Sequence, residues 1–473
     1  MAYELALIEA LTEVVGADQV LVRDRDMASY LTEWRGAFEP RAAAVVRPGS
    51  VDDVAHVVAT AAAHNAALVP QAGNTGTVGG SAADDPRRQV VLNLERLDQV
   101  REIDVANATM TVEAGCTLAD AQRAAEAAGF YLPIQLASRE RCCIGGNLAT
   151  NAGGLNVVYY GNTRDLVLGL EVVLADGRVW ENLSGLRKDN SGYDLNDLFV
   201  GSEGTLGIIT AAVLELADPP QQRAVAFCAL NDVDAAVALQ SQLRRATGQH
   251  VVGCELISAQ ALDFACDYAE QLEVPVTREM PWYLLVEVAV SARGDWLCTI
   301  CDDTLATAAA EGAIVEYRLT DDATEMDRLW ALRTSIPPAQ TAAGASIKHD
   351  IALPVSKLPA FIADVVPRLY QLVPEIRPCI FGHVGDGNLH FNLSRPRAMS
   401  DADFRTFEVE LHRRVHDRVA AMRGSIAAEH GVGRLKVDEI VRLKPAVEID
   451  MLRAVKAAFD PHNRLNPGAM VRI

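Results

Sequence analysis

A chain of 473 residues is longer than one hydrophobic core usually fills, so two or three domains are expected, and with half the residues hydrophobic the core material is ample. A formal charge of -20 excludes nucleic acid or an anionic membrane surface as the main partner, because both demand basic surface. Nine cysteines without framework spacing read as reduced thiols, and no apolar run approaches the ~18 residues of a spanning helix, so a soluble, cytoplasmic protein is expected.

The opening segment, MAYELALIEALTEVV, has an acidic residue near its start and no basic flank, and reads as an amphipathic helix rather than a signal peptide. AAAVVRP, VDDVAHVVATAAAHN and ALVPQAG then alternate between strand-like and helical periodicity, the pattern of an α/β arrangement. Strands are expected at QVVLNL, ATMTVEAG, LVLGLEVVLADGRVW and TLGIITAAVLEL. ADPPQQ, residues 217–222, is a natural linker. Beyond it AVAFCAL, a long helix from about residue 231, WYLLVEVAV and AIVEYRL read as an α+β domain with an antiparallel sheet. CTIC (Cys298 to Cys301) lacks a second CxxC, and its flanks are helical, so packed thiols are expected there rather than zinc or redox chemistry.

FGHVGDGNLHFNL, residues 381–393, sets two histidines around a knot of glycine, aspartate and asparagine. If residues 385–388 form a four-residue hairpin loop, Val384 pairs with Leu389 and His383 lies across from His390 on one face, with Asn392 on that face too. Two imidazoles so placed can reach one ion, but a pair alone is structural about as often as not. EHG, residues 429–431, offers a carboxylate as third ligand, although alone it reads as an ordinary loop.

PQAGNTGTVGGS, residues 70–81, follows an apolar strand and can wrap backbone N–H groups around phosphate oxygens. It is neither GxGxxG nor GxxxxGKS, which disfavours a Rossmann or P-loop site. Two more glycine-rich segments, 142–178 and 201–210, make an extended dinucleotide the natural occupant.

These motifs, with IGGNLATNAGG, RLNPG and EHG in the same order, resemble the FAD-linked oxidases of the vanillyl-alcohol-oxidase flavin fold, and within them the D-2-hydroxyacid dehydrogenases. The resemblance implies an α+β fold: a two-part FAD-binding domain over 1–218, a substrate- and metal-binding cap domain with an antiparallel sheet over 219–430, and a segment, 431–473, returning to the FAD domain. Carried over, Gly73, Asn74, Thr75, Gly76, Gly79 and Ser81 contact the pyrophosphate. Gly145, Gly146, Asn147, Thr150 and Gly153 lie beside the flavin, Gly207 and Ile208 make further cofactor contacts, and Asn466 lies near the flavin. The first loop holds no histidine for covalent attachment, and Cys142 and Cys143 read as packed thiols, so non-covalent FAD is expected. Asn156 stands where many relatives have arginine.

The resemblance also makes His383, His390 and Glu429 ligands of a divalent metal, zinc by expectation, and His430 the base. The chemistry gives such an assembly its reason. A metal-bound hydroxyl can shed several units of pKa, toward the roughly 7 of zinc-bound water, and a neutral imidazole can then take its proton while hydride leaves to flavin. Arg333 and Lys348 match an arginine and a lysine that bind a distal carboxylate in hydroxyglutarate dehydrogenases, and Asn392 is a further substrate-binding candidate. A threonine expected four residues after the arginine is Pro337 here, which weakens the match. The expected reaction is oxidation of a D-2-hydroxy acid, D-2-hydroxyglutarate first, with D-lactate or glycolate as the alternative. A metal-dependent hydrolase and a passive flavin-bearing subunit are the readings from other classes. The implied partners are the small hydroxy acid and an electron acceptor, such as an electron-transfer flavoprotein or a quinone-linked carrier, and a homodimer is left open.

Overall fold

The strand Gln89–Asn93 (QVVLN) is buried at all five positions, as a strand covered on both faces requires, and it sits centrally in the first of three sheets. The computed structural model describes residues 2–473. The chain divides into two compact units: unit 1 comprises residues 1–154, 161–218 and 429–473, and unit 2 comprises 155–160 and 219–428.

Unit 1 carries two sheets. The first contains β1 (Val20–Leu21), β2 (Ala44–Val46), β3 (Ala67–Gln71) and β4 (Gln89–Asn93) in the order β1-β2-β4-β3, parallel across β2-β4-β3. The helix Val51–Ala63 connects β2 to β3, capped by Ser50, whose hydroxyl accepts from Asp53 N. Its Val54, Val57, Val58 and Ala61 recur at helical spacing and pack into the core with Val46, Leu68 and Leu92. The second sheet contains β5 (Val100–Asp104), β6 (Thr109–Glu113), β7 (Val167–Val173), β8 (Val179–Asn182) and β9 (Ile208–Glu215), all antiparallel, in the order β5-β6-β9-β7-β8. LVLGLEVVLADGRVW is therefore a hairpin of β7 and β8 rather than a single strand. Its turn is closed by Gly177 N donating to Leu174 O at 2.9 Å and by Leu174 N donating to Arg178 O at 2.9 Å.

The C-terminal segment of unit 1 is fastened by a buried ion pair. Lys456 is 2% exposed, pairs with Asp460, and donates to Thr205 O and Leu465 O, both at 2.8 Å. Asp460 in turn accepts from Arg464 N and Leu465 N, which sets the turn leading into Asn466. Three donors and a carboxylate are thus matched without water, the condition under which a buried lysine is tolerated.

Unit 2 is built on an eight-stranded antiparallel sheet. Its strands are β10 (Gln222–Leu230), β11 (Val251–Ser258), β12 (Trp282–Val290), β13 (Ile314–Thr320), β14 (Ser346–Ile347), β15 (Asp350–Ala352), β16 (Arg377–His383) and β17 (Asn388–Ser394). The order is β13-β10-β12-β11-β16-β17-β14, with β15 also paired to β17. Helices Ala259–Tyr268, Ala323–Thr334 and Ile336–Ala342 bury Phe264, Leu329, Leu332 and Ile336 against Phe227, Tyr283 and Phe381 of the sheet. CTIC lies in the helix Leu297–Ala310, and burial pushes the Cys301 thiol up to about 12, which fits a packed thiol. All nine cysteines are free.

Candidate active site

The loop after β3 spends much of its polarity on itself. Ser81 Oγ donates to Asn74 Oδ1 at 2.9 Å, and Asn74 Nδ2 donates to Thr32 O at 3.0 Å. Neither side chain is left over for a phosphate, so contact from these positions falls to backbone N–H groups. The glycines divide into two kinds. A Cβ at Gly73 would meet Arg141 O at 2.2 Å, at Gly79 the Phe38 ring at 2.4 Å, at Gly145 the Ala114 Cβ at 2.6 Å, and at Gly207 the Val172 side chain at 2.5 Å. Those four are glycine because protein packs against them. Gly76 has nothing within 4 Å, and Gly146 only Ala72 Cβ at 4.0 Å, so these two leave room for a ligand. Ile208 is 1% exposed within the hydrophobic core, and Thr150 Oγ1 donates back to Gly146 O, so their side chains are occupied as well.

Three buried polar groups of unit 1 suit a dinucleotide. Thr77 Oγ1 and Asn466 Oδ1 are buried without a hydrogen-bond partner from protein, while Asn466 Nδ2 donates to Gly80 O at 2.7 Å and Glu203 O at 2.8 Å. Arg434 gives Nη1 to Asp84 at 2.9 Å, and its Nε and Nη2 are buried without a partner, a cationic donor set fitted to an anionic group. Buried polar atoms in such numbers need an explanation, and a bound FAD supplies one. A separate cavity of about 660 Å³ borders Gly73, Asn74 and Cys143, but its lining carries Glu95, Asp98, Asp120 and Glu140 against the single cation Arg141, the wrong sign for a pyrophosphate. Burial pushes the Cys143 thiol up to about 12, consistent with packing rather than attachment.

The EHG turn is held by a residue that sequence reading passed over. Glu203, inside GSEGT, accepts from Val432 N and Gly433 N, both at 2.7 Å. A Cβ at Gly431 would come within 2.6 Å of Glu203 Oε1, which accounts for the glycine after His430. Burial raises the Glu203 carboxyl above its ordinary range, opposed by the two amides and by Lys436. His430 Nε2 lies 3.5 Å from Glu429 Oε1.

In unit 2 the hairpin register differs from expectation. Phe381, not His383, pairs with His390, and Ile380 pairs with Phe391. The turn is again four residues, but at 384–387, one residue earlier than expected, and the β16–β17 ladder ends at Phe381 just before Gly382, whose φ is +136°. The shift is two residues, an even number, so both histidines keep one face and their ring centroids are 5.5 Å apart. Each also gains a carboxylate from the neighbouring strand. Glu255 of β11 stands opposite His383, with Nδ1 to Oε1 at 2.5 Å though off the line of a good hydrogen bond, and Asp350 of β15 stands opposite His390 at 3.9 Å. The carboxylate behind His383 orients that ring to present its other nitrogen to a metal, Asp350 stands beside His390 as a further oxygen donor, and such a donor set fits a zinc-class ion. Ala428, which precedes Glu429 in the chain, donates its N–H to Asp350 O at 3.4 Å.

Glu255 is fully buried and also pairs with Arg333 through Nε. Burial opposes its ionisation, yet the charges of Arg333 and His383 hold its carboxyl down at about 2. The Arg333 guanidinium stacks over the Phe381 ring, 4.6 Å from its centroid. The charges of Arg333, Lys348 and Arg377 all reach the buried Cys379 thiol, so Arg333 and Lys348 lie in the same region of unit 2. Thr334 does not replace the missing threonine, because its hydroxyl donates to Trp330 O at 3.1 Å. Asn392, expected to touch substrate, uses both ends of its amide within the protein: Oδ1 accepts from His349 N at 3.2 Å and Nδ2 donates to Gln340 Oε1 at 2.9 Å.

Two family descriptions match this chain, "FAD binding domain" over residues 42–182 and "FAD linked oxidases, C-terminal domain" over 219–470. The chain is 35% identical over 467 residues to a D-2-hydroxyglutarate dehydrogenase of Xanthomonas citri pv. viticola, covering 98% of this chain and 96% of that one. It is 34% identical to a mitochondrial D-2-hydroxyglutarate dehydrogenase of Bos taurus, covering 98% and 83% respectively. Among solved structures it resembles substrate-bound p-cresol methylhydroxylase, with a TM-score of 0.77 at 17% identity over 99% of this chain and 96% of that one. The fold is that of the vanillyl-alcohol-oxidase type of flavoenzyme.

Proposed function

We propose that this chain, which belongs to the FAD-linked oxidases and is an FAD-dependent oxidoreductase, oxidises D-2-hydroxyglutarate to 2-oxoglutarate with the help of a divalent metal ion. The observation that carries the reading is the Glu255 network, in which one buried carboxylate fixes both a histidine of the proposed metal set and an arginine of the proposed substrate set. His383, His390 and Glu429 are the proposed ligands, and Thr77, Asn466, Arg434 and the open glycines Gly76 and Gly146 the groups proposed to receive FAD. When bound, FAD would supply hydride acceptance and the metal ion would supply polarisation of the substrate hydroxyl.

The protein's own part is positional and acid–base. His430 in its neutral form takes the hydroxyl proton, and the Glu203 tether fixes the turn behind it. Arg333, with Nε committed to Glu255, offers its remaining N–H groups to the distal carboxylate, and Lys348 adds a second charge. The purified protein should show a flavin spectrum that D-2-hydroxyglutarate bleaches without oxygen. Exhaustive chelation should stop the bleaching and leave the flavin bound. A colourless protein, or bleaching that survives with no metal left, counts against the reading.

A monocarboxylate acid such as D-lactate is the second reading, favoured by Pro337 in place of the expected threonine and by the partial neutralisation of Arg333 by Glu255.

A further inference from the structure

Unit 2 holds a second group of histidines that the proposed reaction does not use. His349 lies between β14 and β15, and His412 and His416 lie on the helix Glu408–Ala421. Each offers one ring nitrogen, and these nitrogens all lie within 4.8 Å of one another. His349 is 2% exposed and His416 5%. The i,i+4 spacing puts His412 and His416 on one helix face, their rings stacked with centroids 5.2 Å apart.

The hydrogen-bond partners fix how the rings are used. His349 Nδ1 lies 2.9 Å from Phe391 O. A carbonyl only accepts, so Nδ1 carries the hydrogen and Nε2 the lone pair. That Nε2 faces His412 Nδ1 at 3.0 Å. On its other side His412 Nε2 lies 3.7 Å from Glu408 Oε1, an ion-pair distance. With a hydrogen on His412 Nδ1 the two rings share a hydrogen bond at 3.0 Å, and a cation bound there takes the place of that one hydrogen. Nitrogens held ~2.0–2.1 Å from a tetrahedral zinc stand roughly 3.3 Å apart, close to the 3.0 Å between these two ring nitrogens, with His416 to be drawn in from within 4.8 Å. A ring fixed from behind by a carbonyl, as His349 is, matches the usual surroundings of metal-bound histidine.

We propose that His349, His412 and His416 form a binding site for a zinc-class divalent ion, with a ligand set distinct from His383, His390 and Glu429. Imidazole nitrogens select such ions over calcium or magnesium, which take oxygen. The ion ties the helix Glu408–Ala421 to the segment that carries Lys348 and Asp350 on either side of His349. Its role is to hold those two residues in place, and it stands whether or not the reaction proposed above is correct.

The test is zinc content of the flavin-loaded, full-length protein, equilibrated at micromolar free zinc and freed of excess by gel filtration. The double variant His412→Ala/His416→Ala should hold one equivalent per chain fewer than wild type, with flavin retained. His412→Gln keeps a good helix former at a half-exposed position and should fold in any case. It should lose the same equivalent, and zinc should raise the thermal midpoint of wild type by more than that of either variant. His383→Ala is scored separately: its own loss of an equivalent reports on the other ligand set and has no bearing on this one. If the His412→Gln protein matches wild type in both zinc content and zinc-induced thermal shift, the three rings are only a proton-sharing cluster and the proposal fails.

Discussion

Glu203 and Glu255 are both buried carboxylates, one in each unit, and their environments drive them in opposite directions. Glu203 is met mainly by backbone amides and its carboxyl is raised, whereas Glu255 is met by a guanidinium and an imidazole and held down at about 2. Amides orient a carboxylate but bring only partial charge, while cations bring both direction and full charge. The first carboxylate therefore acts as a tether for a turn, and the second as a hub that fixes two side chains of the proposed site at once.

Removing the hub should have the largest effect. Glu255→Ala strips the counter-charge from two buried groups, and breaking a buried pair in this way costs about 3–5 kcal/mol. Denaturant unfolding should show that loss, with Glu255→Gln recovering part of it through packing. A loss below about 1 kcal/mol would mean that the network is slack. Next comes His430, the proposed base, whose turn the tether holds. His430→Ala should keep flavin and metal yet turn over ~10²–10⁴ more slowly, and near-normal turnover would remove His430 from the mechanism.

The tether itself should matter less. Glu203→Ala removes the acceptor of two backbone amides, and with the turn able to relax toward water the net loss should be about 1–3 kcal/mol in all. If Glu203 acts through the position of His430, as proposed, kcat should fall more than KM rises, and Glu203→Gln, which keeps one accepting oxygen, should restore part of kcat. Equal changes in all kinetic constants, tracking stability alone, would reduce Glu203 to a structural residue.

Much of this architecture can be read from the chain because it is local. The alternation at VDDVAHVVATAAAHN, the linker ADPPQQ and the apolar runs that become β10, β12 and β13 each carry their own signal. The histidine hairpin was legible as a hairpin, but its turn falls one residue earlier than expected, after a glycine whose φ the letters do not announce. The partners that give the site its electrostatics were not legible. Glu255 lies 78 residues from Arg333, and Glu203 lies 229 from Val432, and nothing in either neighbourhood marks the carboxylate as buried. Asn392 shows the converse: its face was read correctly, but its amide is claimed by Gln340 on a helix 52 residues away.

The substrate assignment rests on Arg333 and Lys348 together, and because Glu255 already offsets the arginine, Lys348 is the decisive charge. Turnover efficiency on D-2-hydroxyglutarate and on D-lactate should be measured for wild type and for Lys348→Ala. Loss of a charge-assisted contact to the distal carboxylate corresponds to roughly 1.5–3 kcal/mol, about 10- to 150-fold. D-Lactate has no second carboxylate to lose, so the ratio of the two efficiencies should fall by that factor while general damage to fold or flavin cancels. An unchanged ratio would contradict the account and return the assignment to a monocarboxylate hydroxy acid.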